Sequence, residues 1–313
     1  MDLSQGSKTV VEKCLKIQKD EKVLIVTDEN KLKMGQALFE AVKNVGAKPF
    51  LLMSMPGKVS GEEPDEITAK AMLNADVVIC PTTVSMTHTN ARINAVKNGV
   101  RVATMPGITE EMFSKGAITA DYDEVEKLTL RMTEMLTKAK SAKIVKGEYT
   151  LSMSLESRNG VPSTGVYDKK GTAGNLPSGE AYIAPVEGTA NGEMIIDGSM
   201  VGIGKLDTPL YMRIENGHLK EITGENSEKI SILLENENNS SLGELGIGTN
   251  KSAILCGIIL EDEKVYGTVH IAFGTNTSFG GSVKADCHMD GVILKPDLYL
   301  DDILVMKNGE IIV

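Results

Sequence analysis

A histidine and an aspartate stand two residues apart in the segment "CHMDG", residues 287–291, next to an apolar run. Successive side chains of a β-strand point to opposite faces, so His288 and Asp290 would share one face while Cys287 and Met289 take the other. An imidazole and a carboxylate held side by side are groups that divalent metals accept as ligands. The pattern indicates either a metal site or a histidine that hydrogen-bonds a neighbouring carboxylate at a strand edge.

Three further candidates lie in the second half of the chain. His270 falls in the apolar segment "GTVHIAFG", where a buried imidazole needs partners for both ring nitrogens. Glu180 follows a Pro/Gly turn in "NLPSGEAYIAP", and Glu244 stands among glycines and apolar residues in "SLGELGIG". A buried carboxylate is unfavourable unless it is paired, hydrogen-bonded or bound to a metal. With His288 and Asp290 they make a set of three carboxylates and two imidazoles, which suits Zn, Co, Mn or Fe.

The first half of the chain supplies the elements of a layered fold. Short runs rich in Val and Ile predict strands, and apolar residues at helical spacing predict the helices between them. Such alternation predicts a parallel sheet with helices on both faces. The predicted strands span residues 22–28, 48–55, 76–83 and 101–107, and a long predicted helix spans residues 121–142.

The pattern changes near Lys143, where strand signals bounded by glycine begin to dominate. Asn-Gly pairs in "ENGH" and "KNGE" indicate tight hairpins, and one helix is predicted over residues 227–239. We therefore predict an α/β N-terminal domain, residues 1–142, with a parallel Rossmann- or flavodoxin-like sheet. A β-rich, mostly antiparallel and metal-binding C-terminal domain would follow, residues 143–313.

A second candidate site lies in the first domain, in "SMTHTNAR", residues 85–92. This segment follows a predicted strand and opens a predicted helix, so it lies at the carboxyl end of a parallel sheet, where open α/β folds bind ligands. His88 and Arg92 are therefore candidates for binding a substrate carboxylate. The alternative is that the segment only caps the helix, with His88 in solvent.

Composition excludes several classes of partner. The net charge is −10 without a cluster of Lys or Arg, and there is no Trp to stack on bases, so neither nucleic acid nor an anionic membrane is expected as a partner. The four cysteines are far apart, as in proteins of a reducing compartment. The beginning of the sequence lacks a signal-peptide pattern, and no apolar run approaches the length of a membrane span. We expect a cytoplasmic protein.

Four motifs carry a resemblance to a known family. "NLPSGEAYIAP", "ELGIG", "HIAFG" and "HMD" occur in this order between about residues 174 and 295. This chain resembles a short relative of the aminopeptidase T / aminopeptidase S metallopeptidases, which have the thermophilic metalloprotease-like fold. The resemblance implies an α/β domain followed by a β-rich metal-bearing domain, in a homodimer. It implies metal-ligand roles for Glu180, Glu244, His270, His288 and Asp290.

The resemblance also implies an activity. It predicts a hydrolase, an aminopeptidase that releases N-terminal residues from small peptides, with two divalent ions (Zn, Co or Mn) in each chain. The ions would acidify a bound water and polarise the scissile carbonyl. Glu263 is the candidate general base, matched through a longer loop. Thr277 stands where the family has a tyrosine, and Thr277, Asn276 or backbone amides of the same loop are the candidates for stabilising the oxyanion.

Two other functions fit the same residues. A ring-cleaving, non-haem Fe(II) dioxygenase of dihydroxypyridine shares this fold and a similar H…H-x-D pattern. It would use His270, His288 and one carboxylate as a facial triad, on a small-molecule substrate. The third possibility is a catalytically inactive relative that still binds metal.

Overall fold

The computed structural model describes residues 2–313. Contacts separate the chain into two compact units. The first comprises the residues up to Glu126 together with Gly165–Ser178, and the second comprises Lys127–Thr164 with Gly179–Val313. This division falls inside the long helix, whereas the sequence places the domain boundary at 142/143, where helix–strand alternation ends.

The strands, in chain order, are β1 (Lys22–Asp28), β2 (Lys48–Ser54), β3 (Val77–Thr82), β4 (Arg101–Pro106), β5 (Ser141–Lys146), β6 (Tyr149–Ser154), β7 (Val161–Ser163), β8 (Ala173–Asn175), β9 (Glu180–Ile183), β10 (Asn191–Ile196), β11 (Ser199–Met200), β12 (Gly204–Lys205), β13 (Leu210–Glu215), β14 (His218–Thr223), β15 (Leu242–Gly248), β16 (Thr268–Gly274), β17 (His288–Leu294), β18 (Asp297–Leu300), β19 (Ile303–Lys307) and β20 (Glu310–Ile311).

The α-helices are α1 (Ser4–Lys8), α2 (Leu32–Asn44), α3 (Glu66–Leu73), α4 (Asn90–Lys97), α5 (Glu110–Ser114), α6 (Tyr122–Lys138), α7 (Glu237–Ser240) and α8 (Ile259–Asp262). A π-helix spans Thr9–Cys14, and 3-10 turns span Glu29–Lys31, Gly116–Thr119, Ser227–Leu234 and Thr277–Phe279. Among the described residues, no helix is both long and apolar enough to cross a membrane.

The first unit is built on a parallel sheet with strand order β2-β1-β3-β4-β8. β3 is buried at every position, as expected for a central strand of a parallel sheet that helices cover. The predicted α/β architecture is confirmed. The edge strand β8 was not anticipated, because it belongs to a short segment that the sequence assigned to the second domain.

The second unit contains two antiparallel sheets, which confirms the predicted β-rich architecture. Their strand orders are β14-β13-β10-β6-β5-β18-β19-β20 and β12-β11-β17-β16-β15-β9-β7. Both sheets contribute to one apolar core, which also takes Met132 and Leu136 from the later turns of α6. This packing is why the later part of α6 groups with the second unit. The second of these sheets, called here the metal-site sheet, carries the candidate ligands.

The helix predicted over residues 227–239 is not continuous. A 3-10 turn runs over Ser227–Leu234 with a kink at Ile230, and α7 begins only at Glu237. Asn236 has an extended backbone, and its side chain accepts a hydrogen bond from the amide of Asn239. Apolar spacing indicated a helix here, but the capping asparagine divides the segment in two.

Candidate metal centre

The metal-site sheet brings the five predicted ligands to one of its faces. The strand register explains how, because Gly248 pairs with Glu180 and Ala272 pairs with both Glu244 and Asp290. The ligands occupy neighbouring strands: Glu180 on β9, Glu244 on β15, His270 on β16, and His288 and Asp290 on β17.

The opposite face of the same strands is apolar. Leu245, Ile271 and Ile293 alternate with the site residues along β15, β16 and β17, and all three are buried in the core of the unit. Cys287 also packs against this core. Because one face is committed to the core, the pleat holds the acidic and imidazole side chains on the other face.

A β-bulge at Gly243 sets the direction of Glu244. Leu242 pairs with Phe273, whereas Glu244 pairs with Ala272, so Gly243 is the extra residue. In a regular strand Leu242 and Glu244 would point to the same face. The bulge lets Leu242 join the core while Glu244 faces the site.

Glu244 lies between the two imidazoles. Its Oε1 is 3.3 Å from His270 Nε2, and its Oε2 is 3.3 Å from His288 Nε2. Asp290 Oδ1 is 3.5 Å from the same nitrogen of His288, and Glu180 Oε2 is 3.4 Å from His270 Nε2. The ligand atoms of Glu244, His270 and Asp290 all lie within 4.8 Å of one another, which is close enough to hold one metal ion.

A second donor group shares His270 with the first. The ligand atoms of Glu180, Glu263 and His270 also lie within 4.8 Å of one another. Lys264 reaches into this group, with its Nζ 2.8 Å from Glu180 Oε1 and hydrogen-bonded to Glu263. The lysine is completely buried. Sequence reasoning missed it, because a lysine in "EDEKVYG" is ordinarily a surface residue.

Backbone contacts fix the orientation of His288. Its Nδ1 donates to the carbonyl oxygen of Thr275 at 2.8 Å, so Nε2 is the ring nitrogen that faces the carboxylates. Metal-bound histidines are commonly held by such a hydrogen bond from the other ring nitrogen. The ring therefore has the orientation that a ligand requires.

Electrostatics couple the buried groups. Burial by itself would raise the pKa of Glu244, but hydrogen bonds from His270 and His288 lower it to about 2. Burial would lower the pKa of His270, yet the hydrogen bond to Glu244 and the charge of Glu180 raise it to about 9. Burial, and next the charge of Glu180, raises the pKa of Glu263 to about 8. The crowded carboxylates thus favour protonation of His270 and of Glu263.

One glycine leaves room for the His270 ring. Gly246 pairs with His270 across β15 and β16, and a Cβ on Gly246 would lie 1.9 Å from His270 Nε2. The glycine in "GELGIG" thus serves close packing of a ring, which the sequence alone did not reveal.

Aromatic rings line the site beside His288. Phe279 lies edge-on to His288, with ring centroids 6.0 Å apart, and edge-on to Tyr182 at 5.3 Å. Tyr182 pairs with Gly246 and shares the face of the ligands. Both aromatic rings are half-buried and were not among the predicted site residues. They offer a planar, apolar contact surface next to the candidate ligands.

Glu187 ties down the loop that carries Phe279. It accepts hydrogen bonds from the amide of Ser282 at 2.7 Å and from the side chain of Asn276 at 3.3 Å. It also pairs with Arg158, which donates to the carbonyl of Gly280. The loop is therefore anchored on both sides of Phe279.

The remaining candidate residues lie elsewhere. Thr277 is exposed in the same turn as Phe279. In the first unit, His88 is exposed in the turn before α4, and Arg92 lies in the first turn of that helix. Thr89 is the N-cap and accepts a hydrogen bond from the amide of Arg92. Substrate binding by His88 and Arg92 stays a prediction.

A face of buried imidazoles and carboxylates defines a candidate divalent-metal centre, and comparison with known proteins identifies the chain as an enzyme. The model of the family described as "NicX: 2,5-dihydroxypyridine 5,6-dioxygenase" matches residues 2–313. The chain therefore belongs to the NicX family. A relative, the 2,5-dihydroxypyridine 5,6-dioxygenase of Pseudomonas putida KT2440, is 24% identical over 267 residues, which are 78% of this chain and 73% of the relative.

Two solved structures share the fold. The 2,5-dihydroxypyridine dioxygenase from Pseudomonas putida KT2440 superposes with a TM-score of 0.82 at 19% identity, covering 99% of this chain and 97% of that one. Wild-type AmpT from Thermus thermophilus superposes with a TM-score of 0.72 at 15% identity, covering 99% of both chains. The second likeness supports the aminopeptidase-like fold that the motifs implied.

The prediction of a metallo-aminopeptidase is wrong. The family match and the Pseudomonas putida relative both identify a dioxygenase family, so hydrolase, aminopeptidase and metallopeptidase do not describe this chain. The physical reason is that dioxygenase and peptidase share one fold, and a fold does not determine chemistry. Glu263 as a general base and Thr277 as an oxyanion donor were roles specific to peptide hydrolysis.

Proposed function

We propose that this enzyme is an Fe(II)-dependent, ring-cleaving dioxygenase whose substrate is a dihydroxylated pyridine, with 2,5-dihydroxypyridine as the first candidate. The observation that carries the proposal is the convergence of His270, His288, Glu244 and Asp290 on one sheet face. It occurs in a chain that matches the NicX family over residues 2–313. Two histidines and a carboxylate are the donor set of non-haem Fe(II) oxygenases.

The charges around the site fit a bound cation. Glu180, Glu244, Glu263 and Asp290 crowd together with the single ammonium of Lys264. A buried excess of carboxylates requires a further positive charge, from protonated imidazoles or from a metal ion. In addition, Glu180 Oε2 and His270 Nδ1 are buried and make no hydrogen bond within residues 2–313.

The residues of the centre would have separate roles. His270, His288, Asp290 and Glu244 would hold the ion. Iron, when bound, supplies the one-electron chemistry with O₂ that side chains alone do not provide. His288 stays oriented through Thr275. The predicted homodimer and cytoplasmic location stay predictions.

Phe279 would position the substrate ring. An aromatic substrate that enters beside His288 meets the half-buried rings of Phe279 and Tyr182, which favour edge-to-face or offset contacts. Burial of the ring against apolar side chains would also exclude water from the reacting carbons.

Phe279→Ala is expected to raise KM for 2,5-dihydroxypyridine about fivefold, the effect of losing roughly 1 kcal/mol of ring contact. The iron content should not change, because Phe279 offers no ligand atom. The matched control is Tyr299→Ala, on β18 in the other sheet of the same unit, which should leave KM unchanged. An unaltered KM in Phe279→Ala would exclude the ring from substrate binding.

The proposed function is tested with protein purified and loaded with Fe(II) without oxygen. On mixing with air-saturated buffer and 2,5-dihydroxypyridine, we expect O₂ uptake in step with loss of the aromatic absorbance. Zn²⁺-loaded protein should be inactive because Zn²⁺ has no redox chemistry. Iron-loaded protein that neither takes up O₂ nor opens the ring of this or another dihydroxypyridine would contradict the proposal.

A further inference from the structure

Lys264 is a buried cation inside a group of metal-type ligands. Its side chain is 0% exposed, its Nζ is 2.8 Å from Glu180 Oε1, and it also hydrogen-bonds Glu263. The backbone fixes the lysine from both sides, since its amide donates to the carbonyl of Glu261 and its carbonyl accepts from the amide of Asn250. The ammonium is therefore held in place and is not a surface charge folded inward.

The first donor group, completed by His288, and the second donor group could each serve one ion. Because a neutral imidazole nitrogen has a single lone pair, His270 would bind one ion with Glu180 and Glu263, and His288 would bind the other with Glu244 and Asp290. Two-metal sites hold such ions about 3.5–4 Å apart. Here the carboxylates of the second group contact an ammonium, and Glu180 Oε2 is left buried without a hydrogen bond within residues 2–313.

We propose that Lys264 takes the place of a second metal ion, so that the centre binds a single divalent ion. The ammonium supplies positive charge to Glu180 and Glu263 and blocks the second group, while the first group remains open to a metal. A fixed ammonium donates hydrogen bonds but offers no coordination position for water or substrate. The reaction would then take place at a single ion. We therefore expect one ion per chain, and not the two that the resemblance implied.

This inference rests on the proposed metal centre but not on the reaction, so the two can fail separately. The test uses Mn²⁺ as the probe, on the full-length protein freed of metal and then dialysed against the ion. Wild type should bind about one Mn²⁺ per chain, and Lys264→Met about two, by elemental analysis. Electron paramagnetic resonance should show an isolated Mn²⁺ in wild type and a spin-coupled pair in Lys264→Met.

Two further variants make the test specific. Lys264→Met combined with Glu263→Gln removes a ligand of the second group and should return the count to about one. Lys146→Met is the matched control. Lys146 is a partly buried lysine, with its Nζ 2.8 Å from Asp197 Oδ2, but neither residue belongs to the donor groups. It should bind the same amount of Mn²⁺ as wild type.

Several results would overturn the inference. They are two Mn²⁺ in wild type, none in wild type, or one in a folded Lys264→Met chain. A Lys264→Met chain that stays unfolded at every Mn²⁺ concentration would also overturn it, because an ion in the place of the ammonium must restore the missing charge. Wild type that binds one Mn²⁺ but lacks dioxygenase activity with Fe(II) would contradict only the proposed reaction.

Discussion

His288→Ala is expected to leave the protein folded but unable to retain iron, with ring cleavage falling below detection. His288 Nε2 lies 3.3 Å from Glu244 and 3.5 Å from Asp290, so its removal deletes one of two imidazole donors. Loss of a residue that only supports a ligand typically weakens metal binding 10–100-fold. Because His288 is a ligand itself, we expect the affinity for Fe(II) to fall at least about 100-fold. Iron content after gel filtration and a titration with Fe(II) measure the effect.

Cys287→Ser is the matched control for His288→Ala. Cys287 is adjacent in sequence but packs against the core on the opposite face of β17. Thiolate is a strong ligand for several divalent ions, so the retention of metal in this variant would show that the pleat excludes the sulfur. We expect unchanged iron content and a stability loss of about 1 kcal/mol. Metal lost from Cys287→Ser and kept by His288→Ala would mean that the site is on the other face.

Gly246→Ala is expected to displace the His270 ring and to abolish metal binding. The added Cβ would lie 1.9 Å from Nε2 and 2.2 Å from Cε1 of His270, distances that side chains cannot share. His270 is fully buried, so the ring has little room to withdraw. Overpacking of this kind costs about 1–3 kcal/mol or more, in addition to the loss of the ligand. Thermal unfolding of the metal-free protein and an Fe(II) titration measure both effects.

A double-mutant cycle isolates the contact between Gly246 and His270. In the metal-free protein, His270→Ala should recover most of the stability lost in Gly246→Ala, because the clashing ring is gone. Gly291→Ala is the control: it lies on β17 but faces the core, where its Cβ would meet Met200 Sδ at 3.0 Å, the end of a flexible side chain. It should retain iron. Additive losses of stability in the cycle would contradict the proposed contact.

Much of the fold could be predicted from sequence because it follows from periodicity. The predicted strand over residues 22–28 matches β1, and the predicted helix 121–142 contains α6. Period-two alternation likewise placed His288 and Asp290 on one face and Cys287 on the other. Such features depend only on residues that are close together in the sequence, so they can be predicted from it.

Other features depend on contacts between distant segments. The bulge at Gly243 changes which residues of β15 face the site, and nothing in "SLGELGIG" reveals it. The buried Lys264 is paired with Glu180, which lies far away in the chain. Phe279 reaches His288 from a loop whose anchors include Glu187. These positions follow from the tertiary structure and not from local pattern.

The activity could not be read from the four motifs alone. They lie on strands and turns of a fold that a dioxygenase and AmpT have in common, so the motif order identified the fold more securely than the chemistry. The ammonium of Lys264 hydrogen-bonds Glu180 and Glu263, and in our proposal it keeps these two carboxylates from binding a second metal ion.

We expect the Fe(II)-loaded enzyme to insert both atoms of O₂ into an opened pyridine ring. The most direct measurement is the mass of the product formed from 2,5-dihydroxypyridine under ¹⁸O₂ in ordinary water, with unlabelled O₂ in ¹⁸O-water as the reverse experiment. The expected product is ring-opened and carries both ¹⁸O atoms from the gas and none from water. A product whose new oxygen comes from water, or a ring left intact, would contradict this expectation.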